Sequence, residues 1–188
     1  MTLIKNDGIN QHILLLSIGD YFATSHQTIL SVNICEAVSV CLFDIENSIG
    51  GMNNFLLPEV DLNNGTIYTK ETRIGVYVMD MLINEMLKNG AKRKNIKAKV
   101  FGGALNGISN IYFAKKYLEI EEIEIISSDL GGNNARKIFF YPVGGKVLLK
   151  KINDTNKINE INNKERKEFK NFENIFMNKK RFVDFDEF

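Results

Sequence analysis

The chain has no tryptophan, and among its 188 residues it has only two prolines, two cysteines and two histidines. Each shortage excludes something. Two cysteines cannot build a disulfide framework, and with so few histidines there is no ligand spacing of a zinc site. If Cys35 and Cys41 shared one strand, six positions of about 3.3 Å would separate them by roughly 20 Å, well beyond disulfide reach. Long apolar runs are missing too. The longest, such as residues 13–16, fall far short of the roughly 20 residues that a bilayer demands. The N-terminal stretch lacks the apolar core of a signal peptide. Charge of one sign is also lacking: the net charge is +1, so no global field draws the chain to nucleic acid. These absences predict a reduced, cytoplasmic protein without a metal, a cofactor, a membrane span or a nucleic-acid partner.

What is present is ordinary for a globular domain with an appendage: 44% hydrophobic and 25% charged residues. Residues 13–19 read as a first strand. Residues 29–43 alternate as a strand would, with a bend at Glu36-Ala37. Residues 47–52 read as a turn, and residues 55–57 as a short strand stopped by Pro58. Asn63-Asn64-Gly65 is the turn signal of a following loop. Apolar residues recur at three and four positions over 73–89, which predicts a helix closed by Gly90. A strand over 97–101 runs into Gly102-Gly103-Ala104. Ser109 or Asn110 can cap a second helix reaching Leu118, with Ile111, Ala114, Tyr117 and Leu118 on one face. A strand over 123–127 precedes a loop at 129–133. Residues 137–141 and 146–150 form a hairpin about Pro142-Val143-Gly144-Gly145. Beyond Lys151 there is no Gly, Pro or Ala, and Asn, Lys and Glu dominate. This divides the chain into a domain over 1–151 and a charged extension over 152–188, either disordered or helical. Phe169, Phe172 and Phe176 favour an amphipathic helix over 160–178, whose stripe with Ile175 docks on the domain itself or, as the alternative, in a partner's groove.

Several motifs carry a family resemblance. Residues 31–44, Ser-Val-Asn-Ile-Cys-Glu-Ala-Val-Ser-Val-Cys-Leu-Phe-Asp, align without a gap to the signature of the CheD family. Gly50-Gly51-Met52-Asn53-Asn54-Phe55-Leu56-Leu57-Pro58 resembles that family's Gly-Gly-Met-x-His-x-x-Leu-Pro. Ala98-Lys99-Val100-Phe101-Gly102-Gly103-Ala104 and Asp129-Leu130-Gly131-Gly132-Asn133-Asn134-Ala135-Arg136 extend the match, which covers residues 13–151. The resemblance implies an α/β fold, a layered sandwich with a largely antiparallel mixed sheet and two main helices. It also implies a chemotaxis role as a chemoreceptor glutamine deamidase, with chemoreceptors and a CheC/CheX-type CheY phosphatase as partners.

That activity needs a cysteine to attack the glutamine amide, a histidine to deprotonate it and a hydroxyl to orient the site. The resemblance puts these roles on Ala37, Asn54 and Ser31. Alanine has no nucleophilic atom, and the asparagine amide takes no proton near neutral pH. Losing a nucleophile alone costs on the order of 10⁴–10⁶ in turnover. The chain is therefore expected to be catalytically degenerate and to act by binding partners. The alternative is an active deamidase using Cys35 as a displaced nucleophile. On a regular strand Cys35 shares a face with position 37 but sits roughly 6.6 Å away, too far for unaltered chemistry. As buried hydrophobes, Cys35 and Cys41 need no chemical role. Neither His12 nor His26 falls on a family site, and both read as surface residues. Gly102 and Gly103 are candidate binding positions through the matched motif, though turns that need positive φ explain them equally. Arg136 is either a site residue or a structural arginine. Glu36 is expected to face solvent.

Overall fold

Strand β5 (Val38–Asp44) shows how the sequence dictates layers, because all seven of its residues are buried. Successive side chains on a strand point to opposite faces. Val38, Val40 and Leu42 join one apolar core, while Cys41 and Phe43 join another. A strand buried on both faces must lie between two layers. The computed structural model, which describes residues 2–5, 12–58 and 67–180, has that arrangement.

One sheet holds β1 (Thr2–Lys5), β2 (His12–Leu15), β4 (Thr28–Ile34), β9 (Ala135–Tyr141) and β10 (Lys146–Ile152), in that order. The other holds β3 (Tyr21–Thr24), β6 (Ile49–Asn53), β5, β7 (Lys97–Gly102) and β8 (Glu124–Leu130). Among the described strands, only the β2–β4 and β7–β8 pairs are parallel. Leu30, Val32, Ile34, Ile138 and Phe140 of the first sheet meet Cys41, Phe43, Met52 and Phe101 of the second. The far face of the second sheet is covered by α1 (Arg73–Lys88) and α2 (Ile108–Ile120). The result is a sheet–sheet–helix sandwich, mostly antiparallel, as the resemblance implied. A third helix, α3 (Thr155–Lys180), follows β10.

Several boundaries differ from the sequence expectation. The strand expected first, over 13–19, is the second, β2; it stops at Leu15, where the Ser17 amide turns to the Asp20 carboxylate. Residues 49–53 are not a turn but strand β6; the turn sits at 45–48, where Ser48 takes φ 55°. Gly50 and Gly51 extend that strand because no side chain fits there: a Cβ on Gly50 would come within 2.5 Å of the Pro142 carbonyl oxygen. Residues 55–57 shrink to a single bridge between Phe55 and Val38. Asp129 and Leu130 belong to β8, not to a loop. The turn expected at 63–65 lies outside the described residues. Helix α1 has the expected span, and Gly90 follows it at φ 101°. Helix α2 begins at Ile108, so Ser109 and Asn110 lie inside it and neither is its cap.

Candidate functional site

Residues 35–37 leave β4 in one sheet and enter β5 in the other. A chain crossing between layers leaves its ladder, so six buried backbone groups must find other partners. All three carbonyls find donors. Cys35 O accepts from the Ala104 amide at 2.7 Å and Ala37 O from the Gly103 amide at 2.9 Å. Glu36 O accepts from Asn110 Nδ2 at 3.1 Å, and Asn110 Oδ1 accepts from the Leu57 amide at 2.7 Å. Gly102 permits this close approach: at φ 111°, a Cβ there would sit 2.1 Å from Ala37 O.

The three amides all point at one carboxylate. Glu165, on α3, accepts from the Cys35 amide at 2.7 Å, from the Glu36 amide at 2.9 Å and from the Ala37 amide at 3.3 Å. Successive N–H groups converging on an anion form a nest. Glu165 is only 3% exposed. Its burial pushes the carboxyl up to about 8; the three amide donors pull it down, and the neighbouring Glu36 pushes it further up. Glu36 is buried, not solvent-facing as expected. Arg166 donates to Glu36 Oε1 at 2.9 Å and Oε2 at 3.1 Å, and Asn162 Nδ2 donates to Oε1 at 3.2 Å. Both partners come from α3.

Helix α3 reaches this place because its contacts repeat every three or four residues. Ile158 is buried beside Cys35, Glu165 fills the nest, Phe169 packs on the intersheet core and Phe172 on the helix-side core. Phe176 meets the Tyr77 ring at 5.2 Å between centroids. Phe172 lies against Gly19, where a Cβ would come within 2.3 Å of the ring. The Ile18 amide donates to Glu168 at 3.0 Å. Ile175, expected within the stripe, is 57% exposed, because it falls off the 158–162–165–169–172–176 line.

The expected site residues divide. Ala37 and Asn54 each lie one residue from the Val38–Phe55 bridge, whose two backbone hydrogen bonds are both 3.0 Å. Asn54 lines a cavity of about 180 Å³ together with Leu16, Asn33, Glu165 and Glu168. Its Oδ1 is buried and has no hydrogen-bond partner among the described residues. Ser31 adjoins the cavity through its backbone, where its carbonyl takes the Leu16 amide at 2.9 Å. Its hydroxyl turns into the sheet and donates to Ile138 O at 2.9 Å. Cys35 is fully buried, but with Ala104, Ala135 and Ile158, whereas Ala37 joins the intersheet cluster. The bend has turned the two apart. Burial, and then the carboxylates of Glu165 and Glu36, push the Cys35 thiol up to about 12.

Gly102 and Gly103 shape the site through their backbones, as described. Arg136 is 2% exposed and fully engaged within the chain. Its Nε donates to Asp129 at 2.7 Å, and its terminal nitrogens donate to Asn134 O and Gly131 O at 3.0 and 2.8 Å. It braces the β8–β9 connection. Cys41 is buried, while His12 and His26 are exposed. Among the described residues no three His, Cys, Asp or Glu side chains are grouped to hold a metal ion. No described helix is long and apolar enough to cross a membrane. Glu165, Glu36 and Asn110 were not foreseen as site residues. The spacing of Glu165 from Phe169 and Phe172 was the one signal available for it.

Comparison with known proteins bears on this site. A family model described as CheD chemotactic sensory transduction matches residues 56–151. A probable chemoreceptor glutamine deamidase CheD of Methylobacillus flagellatus is 40% identical over 146 residues, 71% of each chain. One from Herminiimonas arsenicoxydans is 38% identical over 147 residues, 73% of this chain and 72% of that protein. A CheD 1 of Shewanella oneidensis is 41% identical over 143 residues, 71% and 69% of the two chains.

Proposed function

The chain belongs to the CheD family, and from that premise we propose that it serves chemotaxis as a catalytically silent binding protein. One observation carries this reading: among the described residues, no attacking group reaches the nest at residues 35–37. Position 37 presents a methyl group packed into the intersheet core. Position 54 presents an amide, which cannot act as a base. The fallback nucleophile, Cys35, points into a different cluster, and its thiol titrates near 12, so almost none is thiolate at neutral pH. Such a thiol cannot open an amide at a useful rate, which weighs against the displaced-nucleophile alternative.

What survives is a shaped surface. The nest already holds one polar side chain, Glu165, and the unpartnered Asn54 Oδ1 beside it and the neighbouring cleft of about 300 Å³ lined by Glu36, Leu57, Asn110 and Arg166 are suited to another. The relatives are named for action on chemoreceptors. The partners proposed here are accordingly a chemoreceptor's cytoplasmic part and a CheC/CheX-type phosphatase, met in the cytoplasm. The test pairs two readouts. Titration against a receptor cytoplasmic fragment should show saturable binding, and mass spectrometry of that fragment should show its glutamines unchanged. Absence of binding to both receptor and phosphatase, or conversion of glutamine, would refute the proposal.

A further inference from the structure

Helix α3 covers the surface that the proposed function requires. Its occupancy is chemical as well as steric. Three backbone amides that no strand or turn satisfies are satisfied by one side-chain carboxyl, from a residue 128 to 130 positions away. A second ion pair, Arg166 with Glu36, reinforces the same turn of the helix. Beyond these, α3 is also held by the Ile18 amide donating to Glu168, by Asn162 donating to Glu36 and by Arg73 meeting Met177. Much of its length is exposed, and the aromatic residues at its C-terminal half are only half-buried. The cavity beside Glu165 is not fully matched to a carboxylate, since it also contains the Asn54 Oδ1 acceptor without a donor.

We propose that α3 is a latch acting in cis, which holds Glu165 in the amide nest of residues 35–37 and which a partner helix displaces by offering its own carboxyl or carboxamide side chain there. The inference deepens the preceding reading, since the face it guards is the one assigned to partner binding. A carboxamide suits the place as well as a carboxyl does. Its oxygen accepts from the amides, and its NH₂ supplies a donor in the cavity where Asn54 Oδ1 lacks one. Opening without a replacement exchanges three amide–carboxyl hydrogen bonds for water and uncovers apolar surface, so leaving the latch open and empty is disfavoured. Exchange of one helix for another is therefore the natural way to open it.

The two cysteines report on the latch. Cys35 is covered partly by Ile158 of α3, whereas Cys41 lies in the intersheet core. Undocking α3 exposes the first and leaves the second buried. The experiment is thiol labelling of the full chain with a maleimide, each cysteine followed by peptide mass spectrometry. In the wild type, Cys35 should react faster than Cys41, through local opening. In Glu165→Ala, Cys35 should react at least about tenfold faster than in the wild type, with Cys41 unchanged. Glu165→Gln should stay close to the wild type. A synthetic peptide of residues 155–177 should protect Cys35 again in Glu165→Ala, and the same peptide carrying alanine at position 165 should not. Unchanged Cys35 labelling in Glu165→Ala overturns the proposal. So do equal rates for the two cysteines in the wild type, which would make α3 an inseparable part of the fold. Equal protection by the two peptides would show that the carboxyl is not read. If Glu165→Ala does not fold, the wild-type comparison and Glu165→Gln still decide. None of these readouts depends on receptor binding, so the latch and the proposed function can fail separately.

Discussion

At the scale of the residue, Asn110 explains most about how the site is held. It was expected at a helix cap, where asparagine commonly sits. Instead it lies in the first turn of α2 and joins two segments, accepting from the Leu57 amide and donating to Glu36 O. Both partners are buried, so removing the amide strands a donor and an acceptor together. Asn110→Ala should therefore lower unfolding stability by about 2–4 kcal/mol, given roughly 1–3 kcal/mol for a stranded buried group. Asn110→Asp should not rescue it, because an ionised carboxylate cannot donate to Glu36 O. Urea unfolding of the three proteins checks this, and a loss below about 0.5 kcal/mol in both variants would contradict it. Asn110 was visible in the sequence, but its role was not. A buried asparagine bridging two distant segments has no local signature, whereas a cap does. Glu36 misled for a related reason. A charged residue in a strand-like stretch reads as solvent-facing, and it is Arg166 and Asn162, 130 and 126 positions away, that make its burial tolerable.

At the scale of the element, α3 carries a pH dependence of known sign. The Glu165 carboxyl titrates near 8 when folded, above its ordinary value of 4.5. The folded state thus holds the proton more tightly than the unfolded state. The associated stability is complete below about pH 4.5, falls as pH rises to about 8, and is flat above that. The charges facing it are Glu36 across the interface, with Arg166, Lys164 and Glu168 on its own helix. Subtracting Glu165→Gln removes the background titration of the rest of the chain. The wild type should lose a few kcal/mol relative to that variant across this window. Thermal unfolding at pH 5, 7 and 9 checks it, and a difference that grows in favour of the wild type with rising pH would contradict the assignment. Packing gives a second test. Gly19→Ala would drive a methyl into the Phe172 ring. It should lower the melting temperature by several degrees in the full chain. It should lower it less when Phe172 is also alanine, apart from the cost of φ 87° at position 19.

The elements themselves were largely legible. Helix α1, strand β7 and the β9–β10 hairpin follow from periodicity and glycine placement. Strand β6 was not, because Gly50 and Gly51 read as a turn when they mark close approach of Pro142 and Leu82. The phenylalanine stripe announced an amphipathic α3. Its polar members did not stand out, since a glutamate among lysines and glutamates looks solvated until its partners are seen.

At the scale of the whole molecule, the sandwich places the crossing between its sheets beneath α3. The family's motifs converge on that crossing. Residues 31–44 supply the bend, residues 98–104 supply the amides that bind its carbonyls, and residues 50–58 bring Asn54 beside it. This layout was readable from the motifs, but its occupant was not, because α3 lies outside them. Position 37 is an alanine and position 54 an asparagine, and the proposal of a catalytically silent protein rests on those two residues. The most direct test is incubation of the full chain with a chemoreceptor cytoplasmic fragment, followed by mass spectrometry for the gain of about 1 Da that turns glutamine into glutamate. The account predicts no gain, with no difference between the wild type and Cys35→Ala. A steady gain in the wild type that Cys35→Ala abolishes would contradict it.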